Sequence, residues 1–250
     1  MDEQRLEAYL NLIQSLFNCS AGEESQILNA YQDLVDDGLV QTMKQVAAEL
    51  AKEGDEHTAN WLQNVATQLA AEIDYKLALA VLTREVFPED WARTHRSLGV
   101  VHYDRTFGDP AENLERALDY HENALQVYTR EVFPEEWALT QDNLGNIYSK
   151  RMRGKHPENL EQALTCYKNA LQIFTRKDFP ETWATIQNKL SDTYWQRIWG
   201  DRAENLERAI ECCNNALKIY TCEEFPEDWA ASQSSLAVAY FMRIRGNPAD

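Results

Sequence analysis

The chain repeats itself with a period of 46 residues, and this period constrains its fold more than any other feature. The tripeptide Phe-Pro-Glu recurs at this spacing, starting at Phe87, Phe133, Phe179 and Phe225. A second block, Glu-Asn-Leu-Glu, recurs at the same spacing, starting at Glu112, Glu158 and Glu204. A fixed period in this range is typical of a solenoid, in which each repeat is one supersecondary unit stacked on the next.

Each unit has the pattern of two helices. Pro134 and the acidic residues after it predict a helix start, because proline needs no N–H partner there and negative charge is favoured in the first turn. Apolar residues then follow at steps of three and four up to Gly154, which predicts the end of the first helix and a loop. A second helical pattern covers residues 160–174. Neither helix can bury its apolar face alone, so we expect antiparallel pairs that stack.

The repeat also predicts the domain organisation of an all-α chain. Residues 1–70 lack the period, and their apolar spacing predicts a small capping bundle with helices around Leu6–Phe17, Glu24–Val35, Val40–Lys52 and from His57. Residues 71–250 form the repeat region. It comprises a degenerate half unit at 71–86, units from 87, 133 and 179, and an incomplete unit from 225.

The last residues align with the middle of a unit. Residues 246–250 match residues 108–112, after which a second helix begins in the complete units. We therefore expect the sequence to be a fragment, with the first helix of the last unit exposing an apolar face.

The residues of the repeat resemble those of the tetratricopeptide family. Leu144-Gly145-x2-Tyr148, followed by Ala163-x3-Tyr167, resembles the family pattern, although that family's unit has about 34 residues. The longer unit resembles variants in kinesin light chains and in many cyanobacterial proteins. Some of the latter, which the N-terminal segment also resembles, carry a caspase-like CHAT peptidase domain. The resemblance implies a right-handed α-solenoid. The aromatic of A-x3-F is replaced by His121 and Cys213, which loosens the packing prediction there.

Composition excludes several classes of partner. With 24 basic and 41 acidic residues, the formal net charge is −17, which argues against nucleic acid and anionic membrane surfaces. No leader-like segment or long apolar span is present, and the 5 cysteines do not suggest a disulfide framework. We expect a soluble cytoplasmic protein.

The sequence carries no recognisable catalytic motif. Phosphate-binding, metalloprotease and nucleophile-elbow motifs are absent, and we expect no enzyme activity within this chain, no cofactor and no metal. Cys212 and Cys213 are adjacent and fit helix packing better than metal binding. His102 occupies the position of tyrosines in the other units, which indicates packing as well.

A comparison of equivalent repeat positions predicts a binding face. Positions that are constant in all units are constrained by the packing of the helices. Positions that vary on one face of the first helix are not constrained in this way and can be adapted to bind a ligand. In the tetratricopeptide family this face lines the concave groove that binds peptides or helices. The predicted groove residues are Arg93, Arg96, Tyr103, Asn143, Asn146, Lys150, Asn188, Lys189, Asp192 and Trp195. The constant arginines Arg105, Arg151, Arg197 and Arg243 are expected to pair with Glu112, Glu158 and Glu204.

The family resemblance also implies a partial carboxylate clamp. Some tetratricopeptide domains hold a peptide C-terminus with residues that correspond to Arg96 and Val100, Asn143, and Thr185 and Lys189. Arg96, Asn143 and Lys189 have suitable chemistry, and Val100 and Thr185 do not.

Three functional hypotheses follow. The first is a scaffold that binds a protein or peptide segment in the groove. The second is the sensor or recruitment region of a larger enzyme, such as a CHAT peptidase, whose effector domain lies beyond Asp250. The third is a structural module that self-associates through its open last unit.

Overall fold

A computed structural model describes residues 3–245 of the chain. Within this range the backbone forms eleven α-helices and one 3-10 helix, without strands, which confirms the predicted all-α fold class. The alignment of residues 246–250 with an inter-helix loop falls outside the described residues.

The N-terminal segment contains four helices at the predicted places, although the second ends at Ala30 and not at Val35. They are α1 (Glu3–Asn18), α2 (Glu24–Ala30), α3 (Asp37–Lys52) and α4 (Glu56–Leu79), and the 3-10 helix, Gln32–Leu34, follows α2. Asp36 and Asp55 cap α3 and α4, because each carboxylate accepts a hydrogen bond from a backbone N–H of the first turn.

The repeat region consists of helix pairs. The first helices are α5 (Pro88–Tyr103), α7 (Pro134–Lys150), α9 (Pro180–Gln196) and α11 (Pro226–Arg245). The second helices are α6 (Pro110–Ala124), α8 (His156–Ala170) and α10 (Arg202–Ala216). Helix α5 packs against α6, α7 against α8, and α9 against α10, as expected of a helical repeat. The second helices are shorter than predicted: α8 ends at Ala170 and a turn carries the chain to Phe174.

The chain divides into two compact units. The first, Met1–Val127, holds α1 to α6, and the second, Tyr128–Asp250, holds α7 to α11. Helix α4 runs without interruption through residues 70 and 71, where the sequence suggested a change from capping bundle to repeats.

The first unit buries one continuous apolar core. Tyr9, Leu39, Met43 and Leu62 are almost fully buried in it, together with Phe107 from the loop between α5 and α6. Each buried side chain of this size stabilises the fold by about 1.5–3 kcal/mol. The same loop is fixed by Glu24, whose carboxylate accepts a hydrogen bond from the Gly108 N–H at 3.0 Å.

The repeated sequence blocks of the second unit shape its turns. Phe179 of Phe-Pro-Glu packs edge-on against Phe174, with ring centroids 5.2 Å apart. In Glu-Asn-Leu-Glu, the Asn159 amide donates to the Arg153 carbonyl at 2.9 Å and so fixes the loop between α7 and α8. Gly154 in that loop has a φ of 80°, which only glycine adopts without strain.

Candidate functional site

The first helices of the second unit lie side by side, because α9 contacts both α7 and α11. Positions that are constant in the sequence form their buried side: Ala138 and Ala184 are fully buried, and Leu144 and Leu190 are 4% exposed. The variable positions of these helices are half-buried or exposed except for Asp142, which is 8% exposed. The accessible ones include Leu139, Thr185, Asn146, Asp192, Trp195 and Phe241. On α7 and α9 the sequence comparison therefore separates the packed side from the accessible side, whereas on α11 the constant Ala230 is exposed.

A salt bridge connects α7 with α9. The Lys189 ammonium donates to both carboxylate oxygens of Asp142, at 2.9 and 2.8 Å. Both side chains are largely shielded from water, since they are 26% and 11% exposed. A shielded, charge-assisted pair of this kind contributes about 1.5–3 kcal/mol when hydrogen-bonded. Lys189 thus holds two first helices together.

Two hydrogen bonds connect α9 with α11. The Asn188 amide donates to the Ser232 hydroxyl at 2.7 Å, and the Ser235 hydroxyl donates to the Asp192 carboxylate at 3.0 Å. Asn188 and Asp192, both predicted groove residues, therefore also align the helices that form the face.

The other predicted residues of the second unit lie on α7 and α9. Asn143 is half-buried and Lys150 is exposed near the end of α7. Asn146 accepts a hydrogen bond from the Tyr167 hydroxyl at 3.0 Å, which places it directly over α8. Trp195 is half-buried and packs against the core of the unit, so only part of its ring is accessible.

The predicted clamp residues beside Asn143 are engaged in other contacts. Lys189 is neutralised by Asp142, and the Thr185 hydroxyl lies 2.6 Å from the Tyr220 hydroxyl. A carboxylate ligand would compete with Asp142 for the Lys189 ammonium. Asn143 on α7 and Trp195 on α9 remain half-buried and so partly accessible.

Three predicted groove residues belong to the first unit. Arg93 is exposed and pairs with Asp90 one turn earlier on α5. Arg96 is half-buried, and its Nε is buried without a hydrogen-bond partner in the described part of the chain. Tyr103 is half-buried at the C-terminus of α5.

Within each helix pair, a small residue on the first helix packs against a specific side chain on the second helix. A Cβ atom added to Gly145 would lie 2.4 Å from the Tyr167 ring, and one added to Gly99 would lie 2.7 Å from the His121 ring. In the next pair Ser191 replaces glycine, and its hydroxyl lies 2.9 Å from the Cys213 sulfur. The departures from the A-x3-F pattern are therefore compensated across the helix pair.

The first unit contains buried histidines that these contacts keep neutral. Burial, together with the charge of Arg96, lowers the pKa of His121 to about 4. Burial also lowers the pKa of His102 to about 4, although the Glu72 carboxylate opposes this shift. The ring of His102 stacks on Tyr120, as expected of a packing residue.

Three of the constant arginines pair with acids other than the predicted ones. Arg197 forms a bidentate salt bridge with Glu161 on α8, at 2.6 and 3.0 Å, and Arg243 pairs with Glu207 on α10 at 3.1 Å. Arg105 pairs with Glu72 on α4 at 2.5 Å. The predicted partners Glu112 and Glu204 are therefore wrong for Arg105 and Arg197, because Glu112 pairs with Arg116 and Glu204 with Arg208. The arginine instead reaches an earlier helix and ties successive layers together.

Neither a metal site nor a membrane-spanning helix is found among residues 3–245. No cluster of three or more metal-ligating side chains occurs in this range. No described helix is both long and apolar enough to cross a membrane. All five cysteines are free thiols, and burial raises the pKa of Cys166 and of Cys212 to about 12.

Comparisons with known proteins add little to this description. No protein-family model and no curated protein matches the chain. Among solved structures, it is similar to the crystal structure of BtubC (BKLC) from P. vanneervenii. The identity is 19%, the match covers 99% of this chain and 93% of that chain, and the TM-score is 0.38. A TM-score this low does not establish a common fold. The helical repeat is defined by the helix pairs of this chain alone.

Proposed function

We propose that this chain is a cytoplasmic interaction scaffold of tetratricopeptide type that binds a peptide or helix on the accessible face of its first helices. The close approach of Gly145 and Tyr167 supports the repeat type, because it brings the two helices of a pair together where the family pattern places a small and an aromatic residue. The five free thiols suit a reducing compartment. The proposal involves binding without a catalytic step.

One observation carries this proposal. On α7 and α9 the positions that vary between repeats stay accessible, apart from Asp142, while the constant alanines and leucines are buried. The accessible positions combine amides with large apolar groups, as in Asn143, Trp195 and the 51% exposed Phe241. Partly exposed aromatic side chains beside amide groups are typical of peptide-binding surfaces. The cross-helix bonds of Lys189 and Asn188 hold this surface in place, which lowers the entropic cost of binding.

The proposal is tested by panning a phage-displayed library of random peptides against the whole chain. The affinity of a selected peptide is then measured by calorimetry. We expect Trp195→Ala and Asn143→Ala to weaken binding about tenfold or more, because each removes a partly accessible aromatic or amide group of the face.

Matched controls come from the same unit. Trp199, which is 48% exposed in the loop after α9, and Asn214, which is exposed on α10, lie off the proposed face, so Trp199→Ala and Asn214→Ala should bind normally. Circular dichroism verifies that all four variants fold. The proposal fails if no peptide is selected, or if the control variants lose as much affinity as the face variants.

A second candidate function, self-association, is favoured by the outer side of α11. In α9 the helix α10 covers Ala184 and Tyr194, which are 0% and 5% exposed. Their equivalents in α11, Ala230 and Tyr240, are exposed, and so is Ala237 between them. An apolar side of this kind is covered in every complete helix pair of the chain.

Sedimentation velocity over a hundredfold concentration range tests this candidate. A concentration-dependent dimer that Ala237→Arg abolishes and Ala51→Arg, at an exposed site on α3, retains would support it. A monomer at all concentrations would exclude it.

A further inference from the structure

The first unit contains an open cavity of about 370 Å³ that lies apart from the proposed peptide-binding face. It is lined by residues of α2, the adjoining 3-10 segment and α4, together with Arg105 and Arg116. Leu28, Leu69 and Ile73 form much of an apolar wall. A volume of this size accommodates a small organic molecule.

The charges in the cavity do not balance. Glu72 is the only acidic residue in its lining, whereas Lys76, Arg105 and Arg116 are basic. Both oxygens of Glu72 are already used, by Lys76 at 2.6 Å and by Arg105 at 2.5 Å. Arg116 is paired with Glu112 outside the cavity. Two cations therefore share one carboxylate, which leaves about one uncompensated positive charge in a chain whose net charge is −17.

The neighbouring histidine does not change this balance. His102 Nε2 lies 3.7 Å from Glu72, but burial keeps its pKa at about 4, so the ring is neutral at physiological pH. The Arg105 side chain is only 4% exposed and its guanidinium stacks on Phe107, 4.1 Å from the ring centroid. Arg105 is therefore compensated by Glu72, and the excess positive charge resides on Lys76, whose 56% exposed ammonium is accessible to an anion from solvent.

From this combination we propose that the cavity is a binding site for a small monocarboxylate with an aliphatic body. The carboxylate supplies the missing negative charge beside the accessible Lys76 ammonium. The aliphatic body lies against Leu28, Leu69 and Ile73. The site lies within α2, α4 and the loop after α5, so it is independent of the peptide-binding face on α7 and α9.

Calorimetric titration of the whole chain with sodium octanoate tests the proposal, and octanamide serves as the neutral probe of equal length. We expect saturable binding of octanoate to one site, at least about tenfold tighter than that of octanamide, because only the carboxylate makes charge-assisted bonds.

Lys76→Gln should weaken octanoate binding about tenfold, since it removes the uncompensated charge. Lys76 is 56% exposed, so this change leaves the fold intact. Lys52→Gln, at an exposed lysine on α3, is the matched control and should bind octanoate normally. Asn29→Trp, at an exposed position of the lining, should block the cavity and abolish binding.

Several outcomes would overturn the proposal. Equal affinity for octanoate and octanamide would show that charge plays no part. Unchanged binding in both Lys76→Gln and Asn29→Trp would place the octanoate elsewhere, as would an absence of binding by the wild-type chain. None of these results bears on the peptide-binding face, whose variants are tested with a different ligand.

Discussion

Replacing His121 by tyrosine should make the chain more resistant to acid. His121 is 1% exposed, it lies against Gly99, and burial together with the charge of Arg96 lowers its pKa from 6.5 to about 4. The folded state therefore binds the proton more weakly than the unfolded state. Stability is retained above the unfolded pKa and is lost as the pH falls from about 6.5 towards about 4.

The magnitude follows from the two pKa values. Between pH 7.5 and pH 5, His121 becomes protonated in the unfolded state but stays largely neutral in the folded state. This difference lowers the unfolding free energy by about 2 kcal/mol. Tyrosine does not titrate in this range. It also reproduces the Gly145–Tyr167 pair of the next unit, so the variant has a precedent for its packing. In the next unit the Tyr167 hydroxyl lies beside Asn146, and the equivalent of Asn146 in this unit is Val100. Val100 is 40% exposed, so the new hydroxyl would have access to water.

Urea unfolding followed by circular dichroism at several pH values measures this effect. The difference in unfolding free energy between His121→Tyr and wild type should grow by about 2 kcal/mol from pH 7.5 to pH 5. His57→Tyr, at an exposed histidine on α4, controls for the loss of an imidazole and should follow the wild type. A parallel pH dependence of His121→Tyr and wild type would falsify the buried, neutral state assigned to His121.

Two further predictions concern the packing of the second unit. Gly145→Ala should lower the unfolding free energy in urea by about 1–3 kcal/mol, since its Cβ would lie 2.4 Å from the Tyr167 ring; in a Tyr167→Cys background the same change should be neutral or stabilising, and an equal loss in both backgrounds would contradict the assigned contact. Iodoacetamide at pH 8 should label the exposed Cys222 quickly and label Cys166 and Cys212 only after denaturation, because burial raises the pKa of both thiols to about 12. Mass spectrometry of the digested protein reports each site, and fast labelling of Cys166 in the folded chain would show that the helix pair is open.

The fold was predictable because the repeat supplies several copies of the same signals. Proline at a helix start and glycine after its end recur in every unit, and the first helices begin at Pro88, Pro134 and Pro180 as predicted. The end of α8 was not predictable from apolar spacing. Phe174 continues the pattern, but it is buried from a turn, where it packs edge-on against Phe179.

Side-chain partners were less predictable than helices. The constant arginines had to pair with acids, but the sequence does not show that Arg197 reaches back to Glu161 and away from Glu204. The sequence predicts Lys189 as an unpaired basic residue of the groove, whereas in the structure it pairs with Asp142 of the preceding first helix. Both errors have one cause, since the pairing depends on how successive helix pairs are offset.

The cavity of the first unit was not visible in the sequence. It is lined mainly by residues of α2 and α4, which lie outside the clear repeats. Glu72 lies in residues 71–86, which the sequence predicts to be a degenerate half unit. The sequence does contain one signal, at the repeat position of Arg105. Arg197 and Arg243 each pair with an acid at the same distance before them in the sequence, Glu161 and Glu207, whereas no acid occurs at the equivalent position before Arg105. The missing acid implies a different partner, and α4 supplies it.

Hydrogen–deuterium exchange of the chain with a panned peptide tests the central claim most directly. The account predicts slower exchange in α7 and α9, around residues 139–150 and 185–196, and unchanged exchange in α8 and α10, which lie behind the accessible face. Slower exchange confined to α8 and α10, with α7 and α9 unaffected, would contradict the assignment of the first helices as the binding surface.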